Sequence, residues 1–143
     1  MPSQTSPAQP EQEIAAVRAF NRFYTRKLEV LDQHLLKTPF SLSEARVMFE
    51  LAHRGDLSAK DIGLELGLDA GYLSRIVQKF DEDGLVSRKP FPSDRRQYQL
   101  GLTAKGHAAF AKLERSSQDH VGLMLGALAS EDCKRLLGAM ETI

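Results

Sequence analysis

Apolar residues recur at intervals of three and four along most of this chain, which is the spacing of one face of an α-helix. The first run starts at Glu13 and ends before Pro39, with Ile14, Val17, Phe20, Tyr24, Leu28, Leu31 and Leu35 on one side. Residues that favour helix N-termini precede the next four runs, namely Ser41, Ser58, Asp69 and Thr103, and the last run starts at Ser130. The pattern predicts a helix at each run.

The period shortens between the fourth and fifth predicted helices. Leu85–Lys89 and Gln97–Leu102 are short extended runs on either side of a Pro-Phe-Pro-Ser-Asp turn. This arrangement predicts a β-hairpin, and its prolines prevent regular strand pairing around the tip. The predicted fold is therefore mainly α, with one hairpin after four helices and two more helices behind it.

The third and fourth helices lie in the stretch DIGLELGLDAGYLSRIVQKF and meet at Gly67. Two short helices joined by a tight turn form a helix-turn-helix, in which the second helix lies in the major groove of DNA. Arg75 can bond guanine, Gln78 can pair with adenine, and Lys79 is expected to meet a phosphate. The outward residues expected to reach DNA are Tyr72, Ser74, Arg75, Gln78 and Lys79. A glycine between two helices also occurs in small helical proteins that bind no nucleic acid.

The hairpin carries a local excess of positive charge. The whole chain has 19 basic and 19 acidic residues and no net charge, so an electrostatic argument has to be local. The stretch SRKPFPSDRRQYQL contains Arg88, Lys89, Arg95 and Arg96, with Asp94 as the one acidic residue. A basic hairpin directly after a recognition helix is typical of the wing of a winged helix. The alternative interpretation of these charges is an ordinary solvated surface.

The stretch DGLVSRKPFPSDRRQYQLGLTAKG resembles the wing signature of MarR-type transcription regulators. The matching residues are Gly84, Leu85, Val86, Pro92, Asp94, Arg96, Leu100, Leu102, Thr103 and Gly106. The resemblance implies a winged helix-turn-helix with dimerisation helices at both ends. The Pro, Gln and Ser content of residues 1–12 predicts a disordered tail. The resemblance implies a single domain over 13–143, with a DNA-binding lobe at 41–103 between dimerisation helices at 13–38 and 104–143. Arg96 would enter the minor groove, and Asp94 would hold the wing arginines by an ion pair.

The resemblance also implies a homodimer, a pseudo-palindromic duplex operator and a small aromatic or phenolic effector that relieves repression. The candidate dimer residues are Phe20, Phe23, Leu123, Leu128, Leu136, Leu137 and Met140. The candidate effector residues are Phe20, Tyr24, Met48 and Phe49, although residues of these types are more often plain core than pocket wall. Two helix positions, Ala70 and Gly71, are small where many relatives carry polar residues, so base readout is expected to be sparse.

The sequence argues against several other classes of protein. We expect no metal, cofactor or catalytic site, because the histidines lack metal-ligand spacing and no nucleophile is paired with a base. The lone Cys133 fits an inert thiol in a reducing cytoplasm, although some relatives use a cysteine as a redox switch. No stretch is apolar enough to span a membrane. The alternative to a free-standing repressor is the DNA-reading or protein-interaction module of a larger MarR–acetyltransferase protein, a subset that the recognition helix resembles.

Overall fold

The computed structural model describes residues 8–34 and 38–143. These residues form the helices and strands α1 (Ala8–His34), α2 (Leu42–His53), α3 (Ala59–Leu66), α4 (Ala70–Glu82), β1 (Val86–Pro90), β2 (Tyr98–Leu102), α5 (Ala104–Gly126) and α6 (Ser130–Thr142). The chain divides into one unit that contains α1 and a second, 38–143, that contains all the other elements. The element order confirms the predicted mainly α, winged helix-turn-helix fold.

Helix α1 begins earlier than the sequence analysis expected. It starts at Ala8, whereas residues 1–12 were assigned to a disordered tail. Alanine, glutamine and glutamate favour helices, and Pro10 lies in the first turn, where its missing N–H interrupts no helical bond. The rest of the predicted tail, 1–7, and the segment 35–37 before Pro39 lie outside the described residues.

Short-range capping determines where the helices of the second unit begin. The hydroxyls of Ser41 and Thr103 accept hydrogen bonds from backbone N–H groups three residues later, and the Asp69 carboxylate does the same for α4. Ser58 and Asp61 form a reciprocal capping box at the start of α3. Gly67 then ends α3 in the left-handed conformation, with φ 62°, which a glycine adopts without steric cost. The two helices of the helix-turn-helix are thus separated as predicted.

The hydrophobic core of the second unit lies under the recognition helix α4. Val47, Met48 and Leu51 of α2 are buried, as are Ile62 of α3 and Leu100 of β2. Helix α4 contributes a buried face of its own, formed by Leu73, Ile76, Val77 and Phe80. Because that face is held by the core, the opposite face of α4 is left for solvent.

The wing is an antiparallel hairpin whose register runs from Val86 opposite Leu102 to Pro90 opposite Tyr98. The strands were predicted at 85–89 and 97–102, so β1 extends one residue further than expected, into Pro90. A proline is tolerated there because, within residues 38–143, β1 pairs with β2 alone and is an edge strand. On its other side β2 receives an isolated bridge from Leu57, where the Leu100 N–H donates to the Leu57 carbonyl at 2.9 Å.

No helix in the described parts of the chain is long and apolar enough to cross a membrane.

Candidate DNA-binding surface

The exposed face of α4 carries the side chains that the sequence predicts to read DNA. Tyr72 is 38% exposed, and the other predicted residues of this face, Ser74, Arg75, Gln78 and Lys79, are exposed as well. The Arg75 Nε donates to the Gly71 carbonyl at 3.4 Å, and the Gln78 Nε2 donates to Glu82 Oε1 at 3.1 Å. Both bonds are made within the helix at the surface, so either side chain can exchange them for contacts with a base edge.

The wing and the recognition helix face a common cleft. Its volume is about 500 Å³, and helix α3 also lines it, together with Ser74 of α4, Arg88 of β1, Gln97 just before β2 and Tyr98 at the start of β2. The Arg88 Nε lies 3.8 Å from the Asp81 carboxylate, which links the wing to the C-terminal part of α4. The two elements therefore lie side by side on one surface, as a helix in the major groove and a wing beside it require.

The wing tip is shaped by Asp94 in a way that the resemblance did not predict. Its Oδ1 accepts a hydrogen bond from the Arg96 backbone N–H at 3.0 Å, and its carbonyl accepts one from the Gln97 N–H at 3.2 Å. Across residues 38–143, no ion pair joins Asp94 to an arginine; Arg88 pairs with Asp81 instead. The expected ion pair is thus replaced by a turn bond, because an aspartate two residues before an N–H is placed to cap it locally. Arg95 and Arg96 lie exposed at the tip, and Lys89 is exposed on β1.

Two further residues position the surface and were not found from the sequence. The Gln99 side-chain amide donates to the Gly55 carbonyl, which ties β2 to the loop after α2. Glu44, in the first turn of α2, accepts from the Lys79 Nζ at 3.0 and 3.1 Å. The partners of these bonds are separated by 44 and 35 residues, so no local pattern signals them. Lys79, expected to meet a phosphate, is thus engaged by a carboxylate.

Ser58 and Asp61 form a capping box beside this surface, at the start of α3. The Ser58 backbone N–H, and then the Ser58 hydroxyl, hold the pKa of Asp61 below its ordinary value of 3.8. The two bonds to Asp61 Oδ2 are 2.9 and 2.8 Å long. The carboxylate therefore remains ionised, and it stabilises the start of α3, the first helix of the helix-turn-helix.

Comparisons with known proteins agree with this geometry. The family model described as MarR family matches residues 38–97, which span α2 to the wing tip. The HTH-type transcriptional regulator BilQ of Clostridium symbiosum (strain WAL-14163) is 26% identical over 109 residues, covering 76% of each chain. MhqR of Bacillus subtilis (strain 168), also an HTH-type transcriptional regulator, is 25% identical over 122 residues, covering 85% of this chain and 84% of that one. Residues 38–97 of this chain thus match the MarR family, and the chain is similar to MarR-type winged-helix transcription regulators.

Solved structures show the same MarR-type fold. The wild-type MarR of E. coli in its apo form superimposes with a TM-score of 0.77 at 20% identity, covering 87% of this chain and 93% of that one. The transcriptional repressor CouR, bound to a 23-mer DNA duplex, superimposes with a TM-score of 0.76 at 23% identity, covering 87% of this chain and 88% of that one. At these identities the likeness concerns the fold.

The residues expected from the MarR resemblance to bind an effector belong to both units of the chain. On α1, Phe20 and Tyr24 stack with ring centroids 5.6 Å apart. On α2, Met48 is fully buried in the core, so a ligand cannot reach it without opening the lobe. Phe49 is 49% exposed and stacks on His53, with centroids 4.1 Å apart. Phe49 is thus the one member of the α2 pair that is accessible.

The residues expected from the MarR resemblance to form a dimer lie open on the single chain. Phe20 and Phe23 of α1 are 52% and 55% exposed. On the C-terminal side the exposed members are Leu123, Leu128, Leu137 and Met140, and Leu136 is half-buried. In each unit, large apolar side chains as exposed as these are suited to covering by another apolar surface.

Cys133 is half-buried, and its Sγ lies 3.5 Å from the Leu125 carbonyl, as an S–H donor would. Within the described ranges, no three His, Cys, Asp or Glu side chains gather closely enough to hold a metal ion.

Proposed function

We propose that this chain is a homodimeric MarR-type repressor that binds a pseudo-palindromic duplex operator and releases it when a small aromatic or phenolic effector binds. The observation that supports the proposal is the exposure of the predicted base-reading residues of α4, in a helix that the Arg88–Asp81 ion pair links to the basic hairpin. In a dimer, two such surfaces about 34–36 Å apart would read successive major grooves.

Within this surface, Arg75 supplies the base contact and Arg96 enters the minor groove at the wing tip. Arg75 is exposed one turn into α4, where recognition helices place their base-reading residues. Arg96 follows the turn bond of Asp94, which holds the backbone at the tip. Tyr72, Ser74, Gln78, Arg88, Lys89 and Arg95 supply further base or phosphate contacts. CouR, a repressor of the same fold, is solved on a DNA duplex, which supports this use of the surface.

Fluorescence anisotropy on duplexes from the protein's own promoter tests the DNA contacts. Arg96→Ala is expected to weaken operator binding by about 1–3 kcal/mol, and binding of the unmodified protein is expected to fall steeply with salt. Arg135→Ala is the matched control, because this arginine of α6 is 83% exposed and its ion pair with Asp132 lies within the same helix. Binding that is indifferent both to salt and to Arg96→Ala would contradict the wing assignment.

The exposed apolar residues of α1, α5 and α6 support the homodimer. Light scattering at micromolar concentration is expected to give twice the chain mass, and Leu137→Glu is expected to shift the protein toward monomer, since Leu137 is 54% exposed on α6. A stable monomer of the unmodified chain would refute the interface.

The effector is proposed to act by population shift, favouring a dimer geometry that does not fit the operator. Phe20 and Tyr24 of α1 and Phe49 of α2 are its proposed aromatic contacts, since all three are partly exposed. Titration of the operator complex with simple phenolic compounds tests the response, and Phe49→Ala is expected to weaken it. We place the protein in the cytoplasm, where its DNA target is found.

A further inference from the structure

Lys79 and Glu44 form an ion pair between the recognition helix and α2. The Lys79 Nζ donates to both carboxylate oxygens of Glu44, at 3.1 and 3.0 Å. The Glu44 side chain is only 14% exposed, whereas that of Lys79 is 46% exposed. A carboxylate so far withdrawn from water depends on its partner, because an unpaired charge in such a place is unfavourable.

The same region of α4 is held by an aromatic contact. Phe40, just before α2, packs edge-on against the buried Phe80, with ring centroids 6.0 Å apart. Phe80 follows Lys79 directly in the chain, so the start of α2 holds two successive residues of α4. The base-facing residues Tyr72 and Arg75 lie in the first half of the helix. A change in the contacts of the second half of α4 would therefore tilt the first half, which carries these base-facing residues.

We propose that Lys79 is a positioning residue, which sets the angle of the recognition helix through Glu44, rather than the phosphate contact that its place on the exposed face predicts. Moving its ammonium group to a phosphate would leave the Glu44 carboxylate unpaired beside a helix that lies against polyanionic DNA. The inference rests on the proposed function, because it assumes that α4 enters the major groove.

The two roles predict opposite effects for Glu44→Gln. If Lys79 positions the helix, Glu44→Gln and Lys79→Gln each weaken operator binding by about tenfold, and the double variant is no weaker than either, because the residues act as one unit. If Lys79 binds phosphate, Glu44→Gln frees it and removes a negative charge, so that operator binding stays the same or becomes tighter.

Anisotropy titrations over a series of salt concentrations separate the two roles. The positioning role predicts that neither variant changes the slope of log K against log salt concentration, and that Lys79→Arg, which keeps the ion pair, binds almost as well as the unmodified protein. A phosphate contact predicts that Lys79→Gln makes this slope shallower by about 0.9. That decrease, together with unchanged binding by Glu44→Gln, would overturn the proposal.

Lys89→Gln and Arg75→Ala are the controls for the proposed function itself. Lys89 is exposed on β1 and, among residues 38–143, makes no ion pair, so its loss is expected to lower the salt slope. If both controls leave operator binding unchanged, the proposed function fails; if both weaken it and Glu44→Gln does not, this inference alone fails. Thermal unfolding shows which variants fold. Should Lys79→Gln not fold, a variant that carries both Glu44→Lys and Lys79→Glu replaces it, because the exchange restores the ion pair in reverse. The positioning role predicts that this double variant binds the operator more tightly than Lys79→Glu alone. A phosphate contact predicts that the two bind the operator equally weakly.

Discussion

Gly106 is the position at which the junction between α5 and the wing can be tested most directly. It lies buried in the first turn of α5, against the residue that precedes β1. A Cβ built on Gly106 would lie 2.1 Å from the Leu85 carbonyl oxygen, 3.1 Å from its carbon and 3.2 Å from the Leu102 Cβ. To reach 3.4 Å, where ordinary contact begins, the helix and the Leu85 backbone have to separate by about 1.3 Å.

Gly106→Ala should therefore destabilise the fold even though alanine is the better helix former. Overpacking costs about 1–3 kcal/mol, and the upper end applies here because a backbone carbonyl cannot rotate aside as a side chain can. The helix preference of alanine offsets about 1 kcal/mol. The net loss is about 2 kcal/mol in the free energy of unfolding, which corresponds to a fall of about 1 M in the urea midpoint.

Urea denaturation followed by circular dichroism, at one protein concentration, measures this loss. Gly122→Ala is the matched control in the same helix, because nothing lies within 4 Å of a Cβ built there. It should stabilise the protein by up to about 1 kcal/mol. A Gly106→Ala protein with the same midpoint as the unmodified chain, or a higher one, would refute the close approach of α5 to Leu85.

Asp94 at the wing tip and Asp61 at the start of α3 each accept hydrogen bonds that a substitution can remove. Asp94→Ala should weaken operator binding by about fivefold, or ~1 kcal/mol, because the turn at the wing tip loses its hydrogen bond. Asp94→Asn should retain most of the affinity, because its side-chain oxygen can still accept from the Arg96 N–H. Equal losses for the two variants in an anisotropy titration would indicate that the charge of Asp94 matters instead. Because Ser58 lowers the pKa of Asp61 in the folded state, the contribution of Asp61 to stability is present above the ordinary value of 3.8 and is lost as the pH falls through the lowered one. Urea midpoints of Asp61→Ala should accordingly lie below those of the unmodified protein at neutral pH and converge with them in acid; a difference that persists unchanged in acid would contradict the ionised capping box.

Interactions between near neighbours in sequence made most of the fold predictable. Ser41, Ser58, Asp69 and Thr103 each cap a helix through an N–H three residues away, so the chain itself contains both partners. The inward faces of α2 and α4 follow from apolar spacing alone, as does the hairpin from its shorter period. The exposed residues of the DNA-binding surface follow from the same periodicity, because whatever does not face the core faces water.

The spacing of apolar residues does not reveal where α1 starts, how deeply a side chain is buried or which partner a polar side chain takes. The start of α1 lies at Ala8 rather than residue 13, because the early turn of the helix has no apolar stripe to reveal it. For Met48 the apolar spacing left both a core position and a pocket wall open, with core favoured, and its complete burial agrees with core. The resemblance implied an ion pair for Asp94, but its side chain instead accepts a hydrogen bond from the Arg96 N–H within its own backbone turn.

The helices, the hairpin and the basic wing could be predicted from residues that are near neighbours in the chain. The partner of each polar side chain on the surface depends instead on how distant elements pack. Lys79 finds Glu44 across 35 residues, and Gln99 finds Gly55 across 44. The physical reason is that caps and periodic faces arise within a few residues of chain, whereas these bonds exist only after α2, α4 and β2 have packed together.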